Sequence, residues 1–273
     1  MKLFSYLLAT TLSLAATVSA ANAQQSAFQA GENLTYAVSY NVIFLQPDIA
    51  TVSFKTINSS VDGVPAHRVT AIAEVDSKWK FFFDMRDEYS TWLDRETGRP
   101  IYFQNNIKEG SYRFTSEYTY DWDKMEVTTY AKNLRINEPR QKTMKLKENS
   151  FDGVSMFFNM RNIISRGTMN PGDTGYVDVV MSDKIDALQY KFIAREVKDI
   201  EGLGRYNTLK FSCQLTNSGD REAFQDGTEF FVWFSDDKNC IPMYIESPIR
   251  VGSIKGRLTS YSGLKYPLGG RVR

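Results

Sequence analysis

Three groups of carboxylates stand beside aromatic rings in this sequence, and paired carboxylates are the chemistry it most openly offers. Asp84, Asp87 and Glu88 follow Trp79 and the run from Phe81 to Phe83. Asp121 and Asp123 flank Trp122, and Asp236 and Asp237 follow Trp233. Hydrolysis of a glycosidic bond needs two carboxyl groups about 5–10 Å apart, one to protonate the leaving oxygen and one to act as nucleophile or activate water. The same residues have a plainer use. Asp121, Asp123, Asp236 and Asp237 fall where strand-like patterns end, and aspartates at turns hold nearby backbone amides with their oxygens. The segment from Trp79 to Arg86 mixes charge with apolar rings, as a rim strand or loop does.

Other catalytic chemistries lack their parts. The only histidine, His67, shares the parity of Val69, Ala71, Ala73 and Val75, the apolar side of one alternating run. A lone imidazole there reads as a packed residue. One histidine and two cysteines cannot supply a usual zinc ligand set. A serine triad would have to use His67, and no G-x-S-x-G elbow accompanies it. There is no G-x-x-x-x-G-K-S/T loop, and Gly202-Leu203-Gly204 lacks the third glycine of a dinucleotide site. The expectation is a protein without enzyme activity, cofactor or metal.

The amino terminus gives an address. Lys2 precedes a mostly apolar run from Leu3 to Val18, and Ala21 and Ala23 close it in the A-x-A arrangement of a signal peptidase site. That is a secretory signal peptide over residues 1–23, cleaved at about Ala23. The apolar run is shorter than the roughly 20 residues a spanning helix needs, and no later segment approaches that length. The mature chain is expected to be free of the membrane, in the periplasm or outside the cell. In such a compartment Cys213 and Cys240 are free to form a disulfide. Cys213 shares parity with Leu209, Phe211 and Leu215 and points into the core, so two buried thiols fit equally well.

Composition narrows the partners. The chain of 273 residues carries 33 basic and 32 acidic side chains, a net charge of +1, which gives no reason to propose nucleic acid. Fifteen Tyr, eighteen Phe and four Trp suit strands, and would equally suit a surface that stacks sugars or lines a lipid.

Alternation sets the architecture. Leu34, Tyr36, Val38, Tyr40 and Val42 occupy every second position, the period of a half-buried strand. Pro47-Asp48 turns the chain into Ile49–Ile57, and Asp62-Gly63 is a hairpin signal leading to Val64–Val75. Tyr89–Leu93, Ile101–Ile107, Tyr112–Tyr120 and Met125–Ala131 continue the style, and the basic stretch Asn133–Glu148 reads as a loop or weak edge strand. Between Ser150 and Arg166 the period changes. Val154, Phe157, Phe158, Arg161 and Ile164 recur at three- and four-residue spacing, which predicts an amphipathic helix capped by Ser150 or Asp152 and stopped near Gly167. Strands then resume at Tyr176–Met181, Leu188–Val197, Tyr206–Leu215, Glu229–Phe234, Ile241–Glu246 and Ile254–Tyr261. The reading is all-β and mainly antiparallel, a large curved sheet, half-barrel or sandwich of about a dozen strands. It makes one β domain over residues 24–273, its two β halves joined by the helix near 152–166.

Three stretches in order carry a resemblance. They are Ala30-Gly31-Glu32-Asn33-Leu34-Thr35-Tyr36, then Phe151-Asp152-Gly153-Val154-Ser155 leading to Met160-Arg161, then Val232-Trp233-Phe234-Ser235-Asp236-Asp237 with Ile241-Pro242-Met243 and Gly252. Together they resemble the bacterial domain-of-unknown-function family 3108 over roughly residues 28–262. The resemblance implies an exported β domain of YmcC-like architecture and carries over no catalytic residue, and the cysteines are not part of its pattern. Two functions are weighed on this basis. One is a periplasmic or cell-envelope protein that binds or scaffolds an apolar or glycan ligand, with Trp79, Phe81, Phe83, Tyr112, Trp233 and Asp236 as candidate contacts on a concave face. The other is an envelope polysaccharide hydrolase using paired carboxylates. A third arrangement, an exposed edge strand docking another protein, needs no pocket. The partner expected is an envelope component, whether lipid, glycan or protein.

Overall fold

A computed structural model of the chain describes residues 26–41, 47–133, 139–217, 229–248 and 252–272. The signal peptide expected over residues 1–23, with cleavage at about Ala23, lies outside these residues. Eight strands follow one another through the first half: β1 (Asn33–Asn41), β2 (Asp48–Val61), β3 (Val64–Val75), β4 (Arg86–Asp94), β5 (Pro100–Glu109), β6 (Tyr112–Asp121), β7 (Glu126–Asn133) and β8 (Arg140–Lys145). A short β9 (Ser150–Phe151) leads into helix α1 (Gly153–Arg166). The second half holds β10 (Thr174–Val180), β11 (Ile185–Ile200), β12 (Gly204–Asn217), β13 (Glu229–Ser235), β14 (Pro242–Pro248), β15 (Ser253–Ser262) and β16 (Arg271–Val272).

All sixteen strands belong to one sheet, ordered β8 to β1, then β15 down to β9, with β16 beside β12. The chain winds outward from β1 to β8, crosses to the opposite edge, and winds back until β15 pairs antiparallel with β1. Every neighbouring pair is antiparallel except β9 with β10, which are joined by a crossover through α1. Asp62 and Gly63 both take positive φ, 50° and 83°, in the two-residue turn between β2 and β3. That is the mirror-image turn whose twist suits a hairpin.

The sheet curls until its two edges meet. Thr129 Oγ1 on β7 donates to the Ser182 carbonyl at 2.7 Å, and Lys142 Nζ on β8 donates to the Asp183 carbonyl. Both acceptors lie in the β10–β11 turn, at the far end of the strand order. The result is barrel-like, and α1 fills part of its lumen. The stretch Asn133–Glu148 does contain an edge strand, β8, whose exposed residues include Arg140, Lys142 and Lys145. Charged edges of this kind discourage pairing with a further strand.

Helix α1 departs from the amphipathic pattern. Only Gly153, Ser165 and Arg166 are exposed. Met156, Met160 and Ile164 enter a core with Val177, Phe192, Phe211 and Phe234 of the second half. Val154 and Phe158 enter another with Val69, Leu93, Phe103 and Tyr118 of the first. The curled sheet offers apolar surface on both sides, so no helix face is left for water. The polar side chains on the helix need partners inside the protein. Asp152 caps α1, its Oδ1 accepting from the amides of Val154 and Ser155, each at 2.9 Å, and its Oδ2 accepting from Thr91 Oγ1 on β4 at 2.7 Å. Ser150, the other candidate cap, is in β9 instead. Gly167 ends the helix in extended conformation rather than a left-handed cap.

Arg161 ties the helix to both ends of the chain. Its guanidinium donates to both oxygens of Glu32, at 2.5 and 2.9 Å, and each side chain is 1% exposed. Nε donates to the Asn239 carbonyl and Nη2 to that of Ala27, at 3.0 and 3.3 Å. Asn162 Oδ1 accepts from the Ala27 amide at 2.8 Å. Asn239 in turn holds the carboxyl-terminal tail, donating to the Tyr266 carbonyl and accepting from its amide, both at 3.0 Å. Gly263 lies so close that a Cβ there would sit 2.1 Å from the Gly31 carbonyl oxygen.

Removing one member of a buried ion pair strands the other charge, which costs about 3–5 kcal/mol. We expect Arg161→Met and Glu32→Leu each to lower the free energy of urea unfolding by that amount. The double variant E32L/R161M should recover most of the loss, since it leaves no charge behind. Additive losses in the double variant would show that the pair is not coupled.

Candidate functional site

Strand register defines two rims. The β3–β4 loop, the β5–β6 turn and the β10–β11 turn lie on the upper one. Residues 26–32, the β13–β14 turn and the tail from Gly263 to Gly270 lie on the lower. The knot around Arg161 fills the lower end. Above and beside the helix the lumen is not filled.

Two cavities occupy that space. The larger, about 410 Å³, is lined by Ala71 and Ala73 of β3, Tyr89 of β4, Phe103 and Asn105 of β5, Phe114 and Tyr118 of β6, and the start of α1. The smaller, about 210 Å³, lies between α1 and the β1–β15 junction, against Leu34, Val38, Pro242 and Ile245. Val52, Phe54 and Phe157 line both. A movement of the Phe54 or Phe157 ring would join them into one channel along the helix. Polar groups in the walls are few, with Asn105, Ser182 and the Tyr hydroxyls near the upper end.

A carboxylate pair sits beside that end. Asp87 is 4% exposed, and its Oδ1 accepts from the Lys108 amide at 3.0 Å. Burial first, and then the charge of Asp87 and a hydrogen bond shared with it, raise Glu109 above the usual carboxylate range. Burial likewise pushes up the Tyr89 hydroxyl, which donates to Asp87 Oδ2 at 3.4 Å. Asp87 and Glu109 thus lie near enough on the rim to influence one another.

The sequence-derived carboxylates are dispersed. Asp87 faces inward and Glu88 outward on β4, whereas Asp121 holds the Lys124 amide and ammonium in the β6–β7 turn. Asp237 organises the β13–β14 turn, accepting from Ser235 Oγ at 2.7 Å and from the Asn239, Cys240 and Gly269 amides at 3.0, 3.1 and 2.8 Å. Asp236 lies in a separate lower-rim cleft of about 270 Å³, where Arg195 Nε approaches it at 3.5 Å. Those from separate turns do not converge on one cleft.

The aromatic candidates are split in the same way. Tyr112 has the inward parity of Phe114 and stacks on it, ring centroids 6.3 Å apart. Trp79, Phe81 and Phe83 are on the β3–β4 loop of the upper rim rather than the concave face. Trp233 is buried on the outer face, because Val232 and Phe234 take the inward positions of β13. Its Nε1 donates to Glu196 Oε1 at 2.5 Å, and the Lys198 ammonium lies 4.1 Å above the ring. The lumen rings that matter, Phe54, Phe103 and Phe157, were not singled out from sequence. The strand parity of Phe54 and Phe103 and the helical spacing of Phe157 are legible, but only closure of the sheet distinguishes a ring facing a void from one in solid core. His67 packs edge-on to Phe28, and burial lowers its pKa.

The disulfide considered between Cys213 and Cys240 is not formed. Both are buried free thiols. Burial raises each to about 12, with Glu229 adding to the effect on Cys213 and Asp237 to that on Cys240.

The structure therefore defines a class: a single, mainly antiparallel sheet curled around an internal helix, with cavities left between helix and sheet. Within that class the chain belongs to the DUF3108 family, proteins of unknown function, whose pattern matches residues 35–259. Among solved structures it is similar to a β-barrel-like protein of domain of unknown function DUF1849 from Brucella abortus. That likeness has 11% identity and a TM-score of 0.53, covering 84% of this chain and 96% of that one. A protein with a YmcC-like fold from Bacteroides fragilis shares 11% identity over 88% of this chain and all of its own, at a TM-score of 0.35, too low to carry an argument. No curated protein matches the sequence.

Thiolates rather than thiols react with disulfide reagents. We expect Cys213 and Cys240 to be silent to Ellman's reagent in the folded protein at pH 8. Both should titrate in denaturant without any reductant. A denatured chain with no titratable thiol would mean a bridge.

Proposed function

We propose that this is an exported cell-envelope protein that holds an apolar ligand, an acyl chain or a molecule of similar character, in the lumen beside α1. The observation that carries the reading is the pair of adjoining cavities that share Val52, Phe54 and Phe157 in their walls. The larger has the volume of an ordinary small-molecule site, about 300–1,000 Å³, and its walls are mainly apolar. A glycan would leave most of its hydroxyls without partners against such walls, at a cost per unpaired group of about 1–3 kcal/mol. An acyl chain needs none, and each methylene it buries is worth about 0.8 kcal/mol. The amino-terminal signal sequence supports export. The larger cavity reaches the upper rim, where Met181 and Ser182 of the β10–β11 turn line it.

Native mass spectrometry of the protein purified from its own cell envelope, followed by organic extraction, tests the reading. The expected result is a co-purifying apolar molecule released by solvent. A fluorescent apolar probe should enter the emptied protein, and Ala73→Trp, which fills the larger cavity, should weaken it about tenfold or more, equivalent to about 1.4 kcal/mol. Lys210→Ala on the outer face should leave the probe unaffected. If Ala73→Trp binds the probe as wild type does, the ligand is not in the lumen.

A further inference from the structure

The β3–β4 loop carries an apolar surface that the fold does not use. Phe81, Phe82 and Phe83 are consecutive and 92%, 77% and 50% exposed. A soluble surface tolerates single apolar residues without consequence, but contiguous exposed rings mark a contact site. The loop is also held in shape. The Phe82 and Phe83 amides donate to the Trp79 carbonyl at 2.9 and 3.2 Å, and the Trp79 amide to that of Asp76 at 2.8 Å. The half-buried Trp79 ring roots the turn, its Nε1 donating to the Asp48 carbonyl at 2.8 Å. Phe81 and Phe82 meet edge to face, centroids 5.6 Å apart, and project as one unit.

The place of this unit is informative. Strand β3 runs into the loop from Ala73 and β4 runs out of it toward Tyr89, and both side chains line the larger cavity. The Gly110 amide of the β5–β6 turn donates to the Asp84 carbonyl at 2.6 Å, which fixes the loop to the next part of the same rim. The rings therefore stand on the rim beside the larger cavity.

We propose that this loop inserts into the interface of a phospholipid bilayer and sets the mouth of the lumen against the membrane. A projecting knob of three rings suits a fluid interface, where aromatic side chains partition favourably. Lys78 and Lys80 flank the rings, and their long side chains can place ammonium groups at headgroup level while the rings go deeper. Charge at the base of the loop is balanced, with Glu74, Asp76 and Asp84 against Lys78, Lys80 and Arg86, and Lys80 and Arg86 both pair with Glu74, at 2.8 and 2.9 Å. The affinity comes from the rings, so neutral lipid suffices and salt has little effect. The identity of the partner as a membrane rests on the lumen holding an acyl-type ligand, which a docked mouth would receive from or deliver to the bilayer.

Sedimentation with phosphatidylcholine vesicles, and with vesicles that also contain phosphatidylglycerol, tests the proposal on the mature protein. Wild type should bind both, with less than about threefold loss at about 0.5 M salt, where surface charge is screened. F81S/F82S should bind about tenfold or more weakly, with unchanged thermal unfolding because neither ring is in the core. Phe81→Trp should bind with a blue-shifted emission. Wild type remaining in the supernatant with both lipids, or F81S/F82S sedimenting like wild type, overturns docking. The two readings fail separately: F81S/F82S should keep full probe affinity, and Ala73→Trp should keep full vesicle binding. Capture of vesicles only when phosphatidylglycerol is present, and its loss in salt, would assign the contact to charge and also overturn the proposal.

Discussion

The bidentate pair between Arg161 and Glu32 is the constraint around which the molecule closes. Two opposite charges are held almost wholly out of water, and such an arrangement is tolerable only when every donor and acceptor is matched. The match draws on four remote parts of the chain. Helix α1 supplies the guanidinium, the first described residues supply the carboxylate and the Ala27 carbonyl, and the β13–β14 turn supplies the Asn239 carbonyl. The tail is bound to that turn through Tyr266 and Gly269. The Phe28 and Phe158 rings lie 5.6 and 5.2 Å from the guanidinium carbon and shield it further.

That knot gives the barrel its polarity. A sheet of sixteen strands encloses more space than one helix fills, and the filled part is where the knot draws the chain ends inward. The other part keeps cavities lined by side chains from both halves. Small residues contribute: Ala71 and Ala73 leave room in β3 that larger side chains would take up.

The stretches that carry the family resemblance acquire a physical meaning. Glu32 lies in the first, Asp152 and Arg161 in the second, and Ser235 and Asp237 in the third. Asp152 caps the helix and joins it to β4 through Thr91. Asp237 gathers three amides and a hydroxyl in one turn. These residues assemble and seal the fold, and none of them points into the larger cavity. Of the residues around that cavity only Gly153 and Val154, at the start of α1, belong to these stretches, and the rest are members of apolar strand faces, turns and the helix.

Sequence by itself determined the strands, most of the hairpins and the helix, because period and turn chemistry are local: an alternating run of inward residues looks the same whatever it faces. It placed Asp62-Gly63 in a hairpin and Asp121 and Asp237 in turns, for those residues act within a few positions of themselves. Only the tertiary structure decided the rest. That the helix would be buried on nearly every side depended on a sheet curling back to meet its own far edge through Thr129 and Ser182. Trp233 went to the outer face and Phe54 to the lumen through strand register and closure, which are set by pairings between residues far apart in sequence. Cys213 and Cys240 stayed apart for the same reason. A cavity is the place where packing stops, and that is a property of the whole enclosure rather than of any segment that lines it.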